Sequence, residues 1–362
     1  MRRRVRECGI TIGKMTTGEE NSITDVPGVS VGHVTLIQGA GPLTPGRGPV
    51  RTGVTVILPH EGNPYKEKLR AGVHVQNGAG ELTGALQVME WGIIETPIAL
   101  TNTLNVGLVH DAIVEHMLEQ NPDIGDRADV MLPIVGECDD SYLNDIRGRH
   151  VKREHVLEAF RVAGRKVIEG SVGAGTGMSA LGFKAGVGTA SRKTASSLGG
   201  YVLGALVVAN FGNSPECDLL VDGVPVGREL RSVVNRPRKD GSIITVIATN
   251  APVNSSQLRR ISARVPLALG RVGSVSSNSS GDISVAFSTA GGISFPDTDS
   301  ASMEAVNAGV LDELFRATIE ASEEAILNSI FMSDTMKGRD DNVSRGLPID
   351  DVMKMMRKYG RL

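Results

Sequence analysis

At 362 residues the chain exceeds the common domain size of about 100–150 residues, so it would fill one large α/β unit or two closely joined ones. Hydrophobic residues at 40% allow a real core, while 3% aromatics and 44 glycines leave small side chains to do the packing, a composition poorly suited to stacking nucleic-acid bases. A net charge of -3 and a pI near 6.2 give no field to gather phosphates or anionic lipid, which argues against nucleic acid and membrane as partners.

The opening Met1-Arg2-Arg3-Arg4-Val5-Arg6 is basic, but polar residues from Thr11 to Glu20 interrupt any apolar stretch of the kind that would make it an export signal. No run approaches the roughly 20 apolar residues of a membrane span. Cys8, Cys138 and Cys217 are odd in number and far apart, which offers neither a disulfide framework nor a CxxC zinc site and points to a reducing cytoplasm.

In chain order, the segment up to Gly53 is rich in Gly, Pro and Thr and predicts short strands joined by turns, one of them over 29–34. The β-branched run from Gly53 to Pro59 predicts a buried strand. A loop at Asn77-Gly78-Ala79-Gly80 leads into a short helix over 81–92, and a strand over 98–101 ends at Asn102. Val106, Val109, Ala112, Ile113, His116 and Met117 recur at helical spacing over 106–120, and a second amphipathic helix is expected over 151–169.

The glycine-rich stretch 170–200 precedes an apolar strand over 199–210. Pro225, Asn235, Pro237 and several arginines make 217–240 the best candidate for an exposed linker, which runs straight into an apolar strand over 241–249. Asn254 and Gln257 form a capping pair for a helix toward Arg271; 278–282 reads as a turn, and 283–289 as a half-buried strand. Ser300 is placed to cap a long helix over 301–331, broken near 307–309; 337–345 reads as a mobile loop, and 349–358 as a last helix.

The run from Gly170 to Gly177 has the glycine density of a phosphate cradle, but a helix precedes it and no Gly-Lys-Ser/Thr follows, so a tight loop supporting the site is the better reading. His110 and His116 are not one helical turn apart and no HExxH occurs, so no metal is expected. Cys138 is a possible nucleophile in chemical principle, set against a buried thiol, with no histidine near it in sequence. A Ser-His-Asp triad has no Gly-x-Ser-x-Gly elbow to anchor it.

Ser242 remains. The sterically open Gly241-Ser242 bond lets the hydroxyl attack the preceding carbonyl in an N-to-O acyl shift that water completes. The released α-amine, with an ordinary pKa of about 7.7–8.0, would serve as base for its own hydroxyl. Asp240-Gly241-Ser242 is also an ordinary turn before a strand.

The blocks Asn21-Ser22-Ile23-Thr24-Asp25-Val26-Pro27-Gly28, Tyr142-Leu143-Asn144-Asp145-Ile146-Arg147-Gly148, Gly173-Ala174-Gly175-Thr176-Gly177, Asp240-Gly241-Ser242-Ile243 and Ser277-Asn278-Ser279-Ser280-Gly281-Asp282 come in the order expected of one family. They resemble the L-aminopeptidase D-esterase/amidase and β-peptidyl aminopeptidase family, from about residue 20 to about residue 330. The resemblance implies an α/β/β/α sandwich, layered like the N-terminal-nucleophile hydrolases but connected differently, formed by residues 1–362 as one domain and cut into 1–241 and 242–362.

It also implies roles. Ser242 falls on the nucleophile and Gly241 on the residue before the cut; Asn210 matches an amide that polarises the scissile carbonyl, and Tyr142 a hydroxyl that assists it. Ser280 matches a second serine that contacts the nucleophile, with Asp282 as its acidic partner, and Glu137 resembles the carboxylate that receives the substrate's amino group. The expected activity is a serine aminopeptidase or amidase without metal or organic cofactor, acting on small peptides or amides as a homotetramer. The segment 211–228 departs from the pattern, so α, β and D substrates stay undistinguished. The rivals are an acyltransferase of the ornithine acetyltransferase type, which uses threonine at the cut, and a noncatalytic homologue that stays uncut.

Overall fold

The computed structural model describes residues 2–212, 217–234, 241–294 and 305–362. Two sheets stack face to face with helices on both outer sides. The first sheet contains β1 (Ser30–Gln38), β2 (Val50–Leu58), β4 (Ile98–Asn102) and β5 (Ile134–Cys138) in the spatial order β1-β2-β4-β5. The second contains β3 (Glu67–Gly78), β6 (Val187–Lys193), β7 (Val202–Asn210), β8 (Gly241–Thr249) and β9 (Ser280–Ser288) in the order β3-β9-β8-β7-β6. The pairs β4/β5 and β8/β9 run parallel, and the remaining neighbours among these nine strands run antiparallel.

Three apolar clusters fill the spaces between layers. One lies under α2 (Val106–Gln120) and α3 (Arg153–Arg161), on the outer face of the first sheet. The middle cluster joins the sheets, with Leu206, Val208, Ile244, Val246, Ile283 and Val285 facing Ile57, Leu100 and Ile134. The third lies between the second sheet and α4 (Ser255–Ser262), α5 (Val265–Arg271), α6 (Ala308–Phe331) and α7 (Ile349–Lys358). The result is the α/β/β/α order expected from the sequence.

The long apolar runs became strands and helices near their expected bounds, because each buries side chains on a sheet or under one. Residues 81–92 supply the short helix α1 (Ala85–Trp91), and Asn254 and Gln257 form the reciprocal cap of α4. Elsewhere the structure corrects the expectation. The helix over 151–169 ends at Arg161, because Gly164 exchanges backbone hydrogen bonds with Val31 of β1, and Glu169 is buried against Arg4 rather than facing water.

The exposed linker over 217–240 fails for its first part. Cys217, Leu219, Val221, Val224 and Val226 are buried in the helix-side core, and 235–240 lie outside the described residues. The glycine-rich N-terminal part yields a nine-residue strand, β1, and Ser280 to Asp282 belong to β9 rather than to a turn. That strand is buried along its whole length rather than half-buried.

α6 begins at Ala308, capped by the Asn307 side chain on Val310 N at 3.1 Å; Ser300 and 301–304 lie outside the described residues. The loop over 337–345 is instead a small ribbon, Met336–Lys337 paired with Val343–Ser344. Strands β3, β5 and β6 had no foreseen counterpart. β3 and β6 carry charged or small side chains whose partners come from distant segments: Lys68 pairs with Glu95 at 2.6 Å, and the fully buried Arg192 meets Glu320 and Glu324 of α6.

Candidate active site

β8 is the central strand of its sheet and begins at the residues singled out in the sequence. Its alternation sends Ile243 and Ile247 into the helix-side core, and Ile244, Val246 and Ala248 between the sheets. Ser242 therefore faces the inter-sheet side. There it forms part of a cleft of about 520 Å³ whose lining includes Ala79, Gly80, Glu81, Thr103, Leu104, Glu137, Asp139, Gly241 and Ser279. Ser242 is only 4% exposed, and its Oγ makes no hydrogen bond.

The Cys138 thiol lies beside this oxygen without the alignment of a hydrogen bond, and Sγ donates instead to Val208 O at 3.5 Å. Burial first, and then the neighbouring Glu137 charge, push this thiol far above the usual thiol range. It is held neutral, as a buried thiol rather than a nucleophile.

Asn210 stands directly across the antiparallel ladder from Ser242, on the same face of the sheet. Its Oδ1 accepts from Ser179 N at 3.1 Å and its Nδ2 donates to Asp139 O at 2.8 Å. A backbone N–H on one side and a carbonyl on the other fix which way the amide points. One of its two N–H bonds remains to meet other charge.

Glu137 sits at the end of β5, in the opposite sheet. Oε1 accepts from Glu81 N at 3.0 Å and Oε2 from the Thr103 hydroxyl. Burial raises its pKa, the bonds from Thr103 and Glu81 oppose the rise, and the charges of Asp139 and Glu81 add to it. A desolvated carboxylate facing a cleft is a receptor for a cation, since a buried charge is costly until paired.

Two expected members sit apart from the Ser242 hydroxyl. Ser280 donates to Asp282 Oδ1 at 2.5 Å, and both alternate with Gly281, the residue paired with Ser242. They therefore face the helix side of the sheet, where Asp282 shares a small cavity with Ile243, Thr245 and His74. Burial raises the Asp282 pKa, against bonds from Ser280, Ser276 and Asn77. What Ser280 adjoins is the backbone of Gly241, its partner in the ladder. The Tyr142 hydroxyl donates to Val343 O at 3.4 Å, and no hydrogen bond joins it to Ser242 Oγ.

Sequence reasoning did not find Thr103, Asp139 or Ser179, which hold Glu137 and Asn210 in place. Nothing in their spacing marks them, because they come from separate parts of the chain: Thr103 from a single 3-10 turn, Asp139 from the loop after β5, and Ser179 from a two-residue strand. The glycine loop Gly173–Gly175 packs against β2 beneath the first sheet, where a Cβ on Gly173 would stand 2.4 Å from Thr55 Oγ1. Among the described residues no cluster of His, Cys, Asp and Glu has the makings of a metal site, and no helix is long and apolar enough to cross a membrane.

Known proteins share this architecture over nearly the whole chain. The model of peptidase family S58 matches residues 21–344. The β-peptidyl aminopeptidase BapA of Sphingosinicella microcystinivorans is 41% identical, covering 99% of this chain and 93% of its own. The PH0078 protein of Pyrococcus horikoshii OT3 superposes with a TM-score of 0.95 at 52% identity, covering 99% of this chain and 100% of its own. The L-aminopeptidase D-Ala-esterase/amidase of Ochrobactrum anthropi, described as a prototype serine aminopeptidase with a variant of the Ntn hydrolase fold, superposes with a TM-score of 0.92 at 37% identity, covering 99% of both chains. With a family model spanning most of its length and relatives aligned from end to end, the chain belongs to peptidase family S58 and is a peptidase.

Proposed function

We propose that this peptidase cuts its own chain between Gly241 and Ser242 and then removes N-terminal residues from small peptides or amides through an acyl-enzyme at Ser242. The observation that carries the reading is a buried, unbonded Ser242 Oγ at the head of an inner strand, in the same cleft as the Glu137 carboxylate. An N-terminal serine supplies a nucleophile and, in its own amine, the base. Glu137 binds the substrate's ammonium, which limits attack to the first residue of a chain.

Asn210 is placed across the ladder to direct its remaining N–H at the oxyanion that forms in both the cut and the turnover. Ser280 and Asp282 adjoin the backbone at the cut, so they serve the new α-amine rather than the hydroxyl. Tyr142 assists the same carbonyl only if its bond to Val343 O gives way during reaction. Residues 1–362 act as one domain in two chains, in a cytoplasmic homotetramer, with no cofactor in the chemistry. The β-peptidyl aminopeptidase name of the relatives makes β-residues a substrate class to test beside α and D residues.

Intact-mass analysis with N-terminal sequencing tests the proposal: fragments 1–241 and 242–362 are expected, with Ser242 as the new N-terminus. Ser242→Ala should remain one full-length chain near 38.2 kDa and release no p-nitroaniline from aminoacyl anilides. An Ala variant that is processed and active would end the mechanism. Acetyl transfer to ornithine, assayed in parallel, would identify the acyltransferase alternative.

A further inference from the structure

The Asn210 amide is held at both ends: Nδ2 donates to Asp139 O at 2.8 Å, and Oδ1 accepts from Ser179 N at 3.1 Å. The Ser179 N–H belongs to the same planar peptide unit as the carbonyl of Met178. Whatever holds Met178 O therefore helps to aim the amide. Two groups do so, Ala185 N at 3.2 Å and Lys184 Nζ at 2.8 Å.

Lys184 is fully buried, and among the described residues no carboxylate pairs with it. Its Nζ lies instead among backbone oxygens, donating also to Ala185 O at 2.5 Å and more distantly to Gly175 O at 3.4 Å, in the glycine loop. Burial lowers its pKa to about 7, and in either protonation state Nζ keeps N–H donors for the two nearest oxygens. The stem starts from a fixed point. Lys184 lies opposite Ser179 in the small ribbon of Ser179–Ala180 with Phe183–Lys184, and its own N–H donates to Arg345 O at 2.7 Å.

Carbonyl oxygens that converge in a buried space repel one another, and each is costly without a donor. Without Nζ, the peptide unit is driven to turn Met178 O away from the oxygens of Gly175 and Ala185. The same rotation carries Ser179 N off Asn210 Oδ1, because both ends of the unit move together. The bond from Nζ also polarises the peptide, which makes Ser179 N–H a stronger donor to the amide.

We infer that Lys184 is a positioning residue for the reaction: through the Met178–Ser179 peptide it sets the direction of the Asn210 amide. It makes no hydrogen bond to Ser242 Oγ itself. The inference rests on the oxyanion reading of Asn210 above.

Lys184→Met, Asn210→Ala and the double variant test it as a cycle. The substrate is the p-nitroanilide of L-alanine or β-alanine, whichever the parent protein cleaves faster, with rates counted per processed chain. Lys184→Met should lower kcat by about tenfold and leave KM within about twofold, because the loss belongs to the oxyanion step. In the Asn210→Ala background the same change should cost less than about twofold, since no amide remains to be aimed. Self-cleavage of fresh precursor, followed by intact mass, should give the same cycle without any added substrate. Where Lys184→Met yields no folded protein, Lys184→Gln keeps an N–H donor for the carbonyls and should show the same dependence on Asn210 with a smaller loss. An unchanged kcat in Lys184→Met, or equal losses with and without Asn210, would overturn the inference and leave the lysine a purely structural group. An unchanged kcat in Asn210→Ala would sink the oxyanion reading, and the inference with it.

Discussion

At the residue scale the site is built from groups whose burial sets their protonation. Glu137 must be ionised to pair with a substrate ammonium, yet burial raises its pKa. Its ionised fraction therefore falls as pH drops through a value above the ordinary carboxylate range. Two groups therefore shape the acid side of kcat/KM, the Ser242 α-amine, which must lose its proton to act as base, and Glu137; Glu137→Gln should remove the Glu137 limb, leave that of the amine, and raise KM by roughly 30-fold or more. An unaltered limb in that variant would assign it to another group.

Asn210→Ala should keep its fold but lose about 100- to 1000-fold in kcat, the usual cost of one oxyanion donor. Unchanged kinetics would remove Asn210 from that role. Asp140, beside Asp139 under the cleft, is fully buried with one oxygen unbonded, and burial raises its pKa to about 7. Between its unfolded pKa near 4 and that value, the folded chain holds a proton the unfolded chain has released, so its contribution to stability declines as pH rises through this window. Asp140→Asn should flatten that decline in urea titrations run from pH 4 to 8. An equal slope in both proteins would mean that Asp140 is ionised in the fold.

At the element scale, β6 shows how packing overrides local pattern. Its sequence, Val187-Gly188-Thr189-Ala190-Ser191-Arg192-Lys193, lacks the continuous apolar run that identified β8. It is a strand because α6 crosses it closely: a Cβ on Gly188 would stand 1.9 Å from Ala325 O. That oxygen is helix backbone and cannot swing aside, so Gly188→Ala should force the helix outward. A loss of about 1–3 kcal/mol is expected by denaturant titration. The same change at Gly107, where a Cβ would meet nothing within 4 Å, should leave the midpoint nearly unaltered. Comparable losses at both positions would refute the close-crossing account.

At the scale of the whole molecule, the proposed cut falls at the first peptide bond of β8, the strand next to β7. After it, β8 would still pair with β7 of the first fragment, and β9 of the second with β3 of the first. Shared hydrogen bonds and a common core should hold the fragments together. They should co-elute in gel filtration under native conditions and separate only in denaturant. Native dissociation would show that the sheet alone does not hold the cut protein together.

Local chemistry in the sequence was enough to mark the apolar strands over 53–59, 98–101 and 241–249 and the helices over 106–120 and 349–358, while Asp240-Gly241-Ser242 by itself read equally as an ordinary turn until the family motifs singled out the serine. Hydrophobic periodicity, β-branching and capping act between neighbours, so they leave a local trace. The family motifs added Glu137 and Asn210, residues with no local signature of function. Only the tertiary structure decided that β3 and β6 are strands, that Cys217, Leu219, Val221, Val224 and Val226 are buried, that Ser280 and Asp282 lie on the other face of the sheet from the Ser242 hydroxyl, and that Thr103, Asp139 and Ser179 hold the site. Each of those outcomes depends on partners distant in the chain, and a contact of that kind exists only once the layers have come together.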